Sequence, residues 1–207
     1  MKESIFFRKI VSEMEKKLDI PVKNYKLSYI RRRISSRMKR CGFENFEDYY
    51  RYLKGNPREY DELFMSLSIN VTQFFRNPEV FEKIKEIVLP EMLKIAKNRI
   101  TKSINIWSVG CADGREPYSM AILLIETIKE RYNINIIGTD ISKKSINFAK
   151  KGVYKSTPTD NIESQLTFIK NRISRYFEYE DGVYMIKDNV KRYVKFIEHN
   201  IITDEPL

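Results

Sequence analysis

Residues suited to ligand chemistry are concentrated in one short stretch, which reads Gly110-Cys111-Ala112-Asp113-Gly114-Arg115-Glu116-Pro117-Tyr118-Ser119. Gly110 and Gly114 allow the backbone to come close to a ligand, because glycine has no side chain. Asp140 ends the next apolar run, and its carboxylate can accept hydrogen bonds from both hydroxyls of a ribose. Together these residues predict a crevice that binds a nucleoside. A purely structural interpretation stays open, in which the glycines serve a tight turn and Asp140 caps the following helix.

The spacing of the glycines distinguishes between nucleoside cofactors. A dinucleotide requires the pattern G-x-G-x-x-G, which brings its pyrophosphate onto a helix N-terminus, and this stretch offers only Gly110 and Gly114. Asp113 and Glu116 would also repel a pyrophosphate, whereas carboxylates tolerate a positive sulfonium centre. The residues therefore disfavour NAD and favour S-adenosylmethionine.

Apolar periodicity predicts the elements that position these residues. Residues 104–109 and 134–139 read as short buried strands, and residues 117–132 and 142–151 read as the helices that follow them. Strand, glycine turn, helix and strand make the βαβ unit of a parallel, doubly wound sheet. Ligands bind such sheets beyond the carboxyl ends of the strands, which is where the glycine stretch and Asp140 lie.

The rest of the chain predicts helices before this unit and a hairpin after it. Residues 5–67 follow a helical period and include a basic amphipathic helix at 25–40, which Gly42 stops, and another helix at 43–53. Asn77 precedes a proline and is predicted to cap a further helix. Residues 182–186 and 190–196 flank the turn residues Asp188 and Asn189, which predicts an antiparallel hairpin whose second arm continues into a third strand of the sheet.

The composition limits the class of protein. The chain has 207 residues, of which 42% are apolar and 32% charged, and this is typical of soluble globular proteins rather than disordered or fibrous ones. Two cysteines and one histidine are too few for a disulfide framework or a structural zinc site, so we expect no metal. A hydrolase with a Ser-His-Asp triad would have to use His199 as its base, because the chain has no other histidine, and this class is therefore disfavoured. No apolar run is long enough to span a membrane, and the N-terminus lacks the apolar core of a signal peptide, so we expect a cytoplasmic protein.

Positive charge is concentrated in the first half of the chain. Of the formal net charge of +10, residues 1–100 contribute +8 and residues 101–207 contribute +2. Such a field attracts anionic partners, but charge alone does not choose between nucleic acid, a membrane face and an acidic protein surface.

Four separated segments form a combined pattern that is more specific than any one of them. They read YIRRRI at 29–34 with RM at 37–38, SINVTQFFRN at 68–77, IWSVGC at 106–111 continuing through Gly114 to EPYS at 116–119, and GTDIS at 138–142. A looser fifth match is VKFIEHN at 194–200. In this order and spacing, the sequence resembles the CheR family of chemotaxis receptor glutamate methyltransferases.

The resemblance implies an α/β architecture in two domains. Residues 1–76 would form a small all-helical domain, and residues 77–207 an incomplete Rossmann-like domain that binds S-adenosylmethionine. A hairpin subdomain at approximately residues 176–196 would be inserted after the helix that follows the second strand.

The resemblance also assigns residues to the cofactor site. They are Asn70, Thr72 and Arg76 of the NVTQFFR segment, Gly110 and Glu116 of the glycine stretch, Asp140 at the strand end, and Asn200 with Ile201 beside the adenine.

The implied reaction is an in-line attack of a receptor glutamate on the sulfonium methyl group, which yields a methyl ester and S-adenosylhomocysteine. A glutamate with a pKa of about 4.3 is already ionised at neutral pH, so the reaction needs alignment in a dry site rather than a strong base. Arg76 is the expected catalytic residue, because a planar guanidinium orients carboxylates; a salt bridge to a neighbouring helix is its structural alternative.

The implied partners are the acidic helices of methyl-accepting chemotaxis receptors. The basic helix would dock on them through five arginines, namely Arg31, Arg32, Arg33, Arg37 and Arg40. A solvated basic face is the structural alternative. We expect a monomer that inserts into no membrane, and nucleic acid is a disfavoured partner.

The sequence departs from the family pattern in two places. Arg115 stands where the family has the first of two consecutive glutamates, which puts the charge balance of the loop in doubt. The family pattern also continues past Leu207 with a fourth strand and a tyrosine near the methyl group, and strand 104–109 would be an unpaired apolar edge without them. We therefore expect a fragment of a longer enzyme, or a split or decayed gene product, whose activity in this form is open.

Two other functions stay open on the sequence alone. One is a non-catalytic module whose basic helices bind acidic receptor helices or nucleic acid. The other is a nucleic-acid methyltransferase, suggested by the positive charge and by Tyr49, Tyr50 and Tyr52, although their helical spacing favours a core position over base stacking. Cys111 has no basic partner in the sequence and is expected to be a small buried residue rather than a nucleophile.

Overall fold

The computed structural model describes residues 2–18, 25–67 and 72–207. The chain divides into two compact units between residues 69 and 70. Residues 72–76, which the resemblance placed with the helical domain, group with the second unit. Each unit has its own buried apolar cluster.

Helices alone build the described part of the first unit. They are α1 (Lys2–Leu18), α2 (Leu27–Arg40), α3 (Phe46–Gly55) and α4 (Pro57–Leu67). The Asn45 side chain caps α3 by accepting a hydrogen bond from the Asp48 backbone N–H at 2.9 Å, so this helix begins after residue 43. Apolar stripes of the helices meet in a core that includes Phe7, Ile34 and Leu63.

A buried carboxylate ties three parts of this unit together. Glu59 is 3% exposed and accepts hydrogen bonds from Arg37 Nε at 2.8 Å and Arg37 Nη2 at 2.7 Å. It also accepts a hydrogen bond from the Tyr49 hydroxyl at 2.8 Å and lies 3.5 Å from Cys41 Sγ. Burial alone would raise the pKa of Glu59, but the hydrogen bonds from Arg37 and Tyr49 outweigh it and lower the pKa below its usual value.

The second unit contains the strands together with further helices. Up to residue 151, its helical segments are α5 (Pro78–Lys83), a π-helical segment (Ile84–Val88), α6 (Leu89–Lys97), α7 (Arg115–Thr127) and α8 (Lys143–Lys151). Those that follow are α9 (Ile162–Gln165), a 3-10 segment (Thr167–Arg172), α10 (Ile173–Tyr176) and α11 (Asp188–Lys191). Among the described residues, no helix has both the length and the apolar character that crossing a membrane requires.

A parallel sheet forms the centre of the second unit. Its strands are β1 (Ser103–Val109), β2 (Asn133–Asp140) and β6 (Val194–Glu198), in the order β1-β2-β6. Val109 is in register with Thr139, and Asp140 with Glu198, so the carboxyl ends of the strands lie at one edge of the sheet. The predicted βαβ unit and the α/β fold class are confirmed.

A second, antiparallel sheet lies between α8 and β6 in the chain. Its strands are β3 (Val153–Lys155), β4 (Phe177–Glu180) and β5 (Val183–Ile186), in the order β3-β5-β4. The predicted hairpin across Asp188 and Asn189 is wrong, because these residues begin the helical turn α11. The hairpin turns at Asp181 and Gly182, whose φ angles of 46° and 79° are both left-handed, as the tightest hairpin turns require.

The prediction that the Asn77 side chain caps the next helix is also wrong. Asn77 directly precedes α5, but its φ angle is 59° and its side chain makes no capping hydrogen bond. Its carbonyl oxygen instead accepts a hydrogen bond from the Val80 N–H at 2.8 Å. Asparagine tolerates the left-handed conformation better than most residues, which suits the sharp turn here.

Replacing Glu59 by glutamine should strongly destabilise the protein. The change removes the buried one of the two carboxylates that contact the partly buried Arg37 guanidinium, and breaking a buried ion pair costs about 3 kcal/mol. Glu62→Gln is a matched control, because Glu62 also contacts Arg37, at 3.5 Å, but its side chain is 50% exposed and such pairs contribute about 0.5 kcal/mol. Chemical denaturation of both variants measures the difference, and equal losses would contradict the central role of Glu59.

Candidate active site

Three predicted site regions lie at the carboxyl edge of the parallel sheet. Gly110 follows β1 directly, Asp140 is the last residue of β2, and Asn200 comes two residues after the end of β6. The strands are parallel and adjacent, so these regions share one end of the sheet. The sequence predicted this grouping correctly.

The glycine loop is folded tightly against the sheet. Gly110 and Gly114 have left-handed φ angles of 68° and 88°. A Cβ atom at Gly114 would lie 2.8 Å from Ala149 Cβ and 2.9 Å from Phe196 Cζ, so this position excludes larger residues. A Cβ atom at Gly110 would meet no other atom within 4 Å, so the backbone there faces open space that a ligand could enter.

Asp140 connects the glycine loop to the second strand. Its Oδ2 accepts a hydrogen bond from the Ala112 N–H at 2.9 Å, and its Oδ1 accepts one from the Ser142 N–H at 2.8 Å. The helix cap of α8 is Ser142, whose Oγ accepts from the Ser145 N–H, so Asp140 is not the capping residue. Each carboxylate oxygen has two lone pairs, which leaves acceptor capacity for ligand hydroxyls.

Glu116 lies in the first turn of α7 and its residue is exposed. Its Oε1 accepts a hydrogen bond from Ser108 Oγ at 2.7 Å, which holds the side chain beside the end of β1. A carboxylate at this end of a helix is stabilised by the helix dipole. The site therefore has a second fixed negative charge.

The segment 72–77 runs alongside the start of α7. Phe74 and Phe75 are each 1% exposed and pack among other aromatic rings, while Arg76 is exposed beside them. The Phe75 N–H donates to Ser119 Oγ at 2.9 Å, and the Thr72 carbonyl accepts from Arg115 Nη1 at 3.2 Å. Thr72 is thereby attached to Arg115 at the end of the glycine stretch, and Phe75, the neighbour of Arg76, is attached to the first turns of α7.

The remaining cofactor residues have mixed outcomes. Asn70 lies outside the described residues. Asn200 is held in a turn, in which its Oδ1 accepts a hydrogen bond from the Ile202 N–H at 3.0 Å. Ile201 is 57% exposed and lies at the same carboxyl edge.

Cys111 is not a candidate nucleophile. Burial, and secondarily the charge of Asp140, raises the pKa of the Cys111 thiol to about 12, so the thiol is protonated at neutral pH. His199 is 8% exposed, and its Nδ1 lies 3.5 Å from Asp204 Oδ2. No cluster of His, Cys, Asp and Glu side chains suited to a metal ion occurs in the described ranges.

The sequence missed a polar cluster around a buried arginine next to the loop. Arg115, noted only as a departure from the family pattern, is 6% exposed and pairs with Asp160 through both terminal nitrogens, at 2.8 and 2.6 Å. Gln165 completes the cluster. Asp160 and Gln165 lie 45 and 50 positions along the chain from Arg115, and no local pattern indicated their contact.

The five arginines of the basic helix differ in their surroundings. Arg31, Arg32 and Arg40 are exposed. Arg33 is half-buried, with its guanidinium 5.3 Å from the Tyr29 ring centre. Arg37 is paired with Glu59 and Glu62 inside the helical unit, so it serves the stability of that unit.

Comparison with known proteins links both units to one family. Residues 70–207 match the family described as CheR methyltransferase, SAM binding domain, and residues 6–68 match the one described as CheR methyltransferase, all-alpha domain. A chemotaxis protein methyltransferase of Borreliella burgdorferi is 31% identical over 181 residues, which cover 85% of this chain and 62% of the relative. One of Listeria innocua is 27% identical over 203 residues, which cover 98% of this chain and 72% of the relative. The chain thus spans between 62% and 72% of the length of these relatives.

Asp113 should give the loop a pH-dependent contribution to stability. Burial raises its pKa to about 6; neighbouring Arg115 opposes this shift and Asp160 adds to it. The folded state therefore holds this proton more tightly than the unfolded state, and stability is lost as the pH rises from about 4 through 6. Asp113→Asn should be more stable, relative to the wild type, at pH 7 than at pH 4, by about 2 kcal/mol.

Denaturation of both proteins across this pH range measures the effect. Asp61→Asn is the control, because Asp61 is exposed on α4 and its replacement removes one negative charge without removing a buried carboxylate. A difference between Asp113→Asn and the wild type that stays constant from pH 4 to pH 7 would contradict the assignment.

Proposed function

The chain belongs to the CheR methyltransferase family, and on that premise we propose that it methylates glutamate side chains of chemotaxis receptors with S-adenosylmethionine as methyl donor. The observation that carries the proposal is the grouping of the open backbone at Gly110 and the fixed carboxylate of Asp140 at one edge of the sheet. Such an edge is where sheets of this kind bind nucleosides.

The residues at this edge fit the nucleoside part of S-adenosylmethionine. Asp140 would accept the ribose hydroxyls, because its carboxylate is fixed by two backbone N–H groups and retains free lone pairs. Asn200 and Ile201 would flank the adenine, since they follow β6 at the same edge. Glu116 would favour the positive end of the cofactor electrostatically.

Arg76 is the proposed catalytic residue. It is exposed between Phe75 and Asn77, whose φ angles of 49° and 59° are left-handed, so the backbone turns sharply on both sides of it. Strained backbone of this kind is frequent at functional sites. The planar guanidinium would orient a carboxylate of the substrate or of the cofactor. Thr72, and Asn70 outside the described residues, complete the proposed contacts.

The chemistry demands little from protein bases. When bound, S-adenosylmethionine supplies a methyl group that is activated by its positive sulfur. A receptor glutamate is ionised at neutral pH, so this chain need not remove a proton from it. Its residues would contribute alignment of the two reactants and exclusion of water, which agrees with the protonated state of the buried Cys111 thiol.

Docking on receptors is proposed for the exposed arginines of α2. Arg31, Arg32 and Arg40 present positive charge, and α2 contains no acidic residue. Acidic receptor helices would be attracted to these exposed charges, with an association rate that falls as salt is raised. Arg37 is left out of this group because Glu59 and Glu62 already neutralise it.

Calorimetry with S-adenosylhomocysteine tests the cofactor half of the proposal. The wild type should bind, and Asp140→Ala should weaken binding by about 100-fold, because two hydrogen bonds to a charged acceptor are lost. Glu130→Ala is the control, since Glu130 precedes β2 at the opposite end of the sheet and should bind normally. Absence of binding by the wild type, or equal binding by Asp140→Ala, would contradict the proposal.

Association kinetics with an acidic receptor helix test the docking half. A triple change of Arg31, Arg32 and Arg40 to glutamine should slow association by about 10-fold at low salt and flatten its salt dependence. The matched control changes Lys94, Lys97 and Lys129, which are exposed on the second unit, to glutamine. Equal slowing in both triple variants would show a general charge effect and refute specific docking through α2.

A further inference from the structure

Arg115 is the buried centre of a polar cluster whose other members are partly exposed. Its Nη1 donates to Asp160 Oδ1 at 2.8 Å and its Nη2 to Asp160 Oδ2 at 2.6 Å, so the two side chains form a bidentate pair. The Arg115 side chain is 7% exposed, and its Nε lies 3.2 Å from Asp113 Oδ2. The aromatic rings of Phe74 and Tyr154 lie on the guanidinium, with centres 5.8 and 5.3 Å away.

This cluster holds the backbone of the segment that carries Arg76. Arg115 Nη1 also donates to the Thr72 carbonyl at 3.2 Å. The Gln165 side chain accepts the Phe74 N–H at 3.0 Å through Oε1 and donates to Asp160 at 2.7 Å through Nε2, so Asp160 fixes the orientation of the amide. The Thr72 carbonyl and the Phe74 N–H lie outside helices and strands, so these side chains supply the hydrogen bonds that regular secondary structure would otherwise provide.

A second path from Arg115 reaches the same segment. The Ser119 hydroxyl donates to the Arg115 carbonyl at 2.7 Å and accepts the Phe75 N–H at 2.9 Å. Thr72, Phe74 and Phe75 are therefore all attached, directly or through one side chain, to Arg115. The segment needs such restraint, because left-handed φ angles at Phe75 and Asn77 cost free energy that the surroundings must offset.

The contacts require an arginine rather than another cation. Two forked nitrogens bind both oxygens of Asp160 while one of them also reaches the Thr72 carbonyl. A lysine ammonium is a point charge and cannot span these acceptors together. The hydrogen bonds from Arg115 are the main reason why the pKa of Asp160 is lowered, so the pair stays ionised at neutral pH.

We propose that Arg115 is a positioning residue, which together with Asp160 and Gln165 fixes residues 72–76 on the glycine loop and so sets the place of Arg76 beside the cofactor site. The part that concerns the cofactor rests on the proposed function. The restraint of residues 72–76 by Arg115 does not depend on it.

Amide hydrogen exchange of the protein without cofactor tests the restraint. In Arg115→Gln, the Phe74 amide should exchange at least about 10-fold faster than in the wild type, because its acceptor Gln165 is held by the pair of Arg115 and Asp160. The Phe75 amide should stay protected, since its acceptor Ser119 is held by the backbone carbonyl of residue 115, which the substitution keeps. Arg115→Lys should rescue part of this protection, since it retains the charge but not the fork. Gln165→Leu provides an independent variant, and should accelerate the Phe74 amide while leaving Phe75 protected by Ser119.

Glu126→Gln is the matched control in the same unit. Glu126 accepts hydrogen bonds from Arg172 and Tyr176 and contacts no residue of the segment 72–76, so its loss should leave both amides protected. Unchanged exchange in Arg115→Gln and Gln165→Leu, or equal acceleration in Glu126→Gln, would overturn the proposal.

Calorimetry with S-adenosylhomocysteine on the same variants then tests the link to the site. Arg115→Gln should bind about 10-fold more weakly than the wild type, and Glu126→Gln should bind equally well. A wild type that does not bind would refute the proposed function but not the restraint, whereas faster exchange in Arg115→Gln with unchanged binding would refute the positioning role alone.

Discussion

The carboxylate of Asp140 is the contact on which the candidate site depends. It ends a buried strand and accepts one backbone N–H from the glycine loop and one from the turn before α8. Two neighbouring loops at the carboxyl edge of the sheet are thereby fixed to one charged group. A nucleoside entering this edge would meet a preorganised acceptor and an open backbone at Gly110, so little ordering would be required on binding.

A second group of contacts, at the start of α7, joins residues far apart in the sequence. The start of α7 supplies Arg115, and the loop after β3 supplies Asp160; their ion pair holds the strained segment in which Arg76 lies. The charge of Arg115 is balanced by Asp160 and Asp113, so the departure from the family's paired glutamates does not leave an uncompensated charge in the loop. At this position a buried arginine with two carboxylate neighbours stands in place of the family's glutamate.

The sequence predicted what depends on local period and turn chemistry. The βαβ unit follows from two apolar runs, which end at Gly110 and Asp140. Because the strands are parallel neighbours, these two residues lie at the same edge of the sheet. Contacts between distant positions were not predictable, as Glu59 shows, since it lies 22 positions from the arginine that it neutralises. The hairpin was misplaced by a few residues, because Asp188 also fits a turn and only the backbone shows that Gly182 takes the left-handed angle.

A structure determined with S-adenosylhomocysteine bound would test the central claim most directly. The account predicts that the ribose hydroxyls lie within hydrogen-bond distance of both Asp140 oxygens, that the backbone of Gly110 contacts the ligand, and that the Arg76 guanidinium is near the homocysteine end. A ligand bound elsewhere, or one whose ribose avoids Asp140 while Arg76 points away from it, would contradict the account.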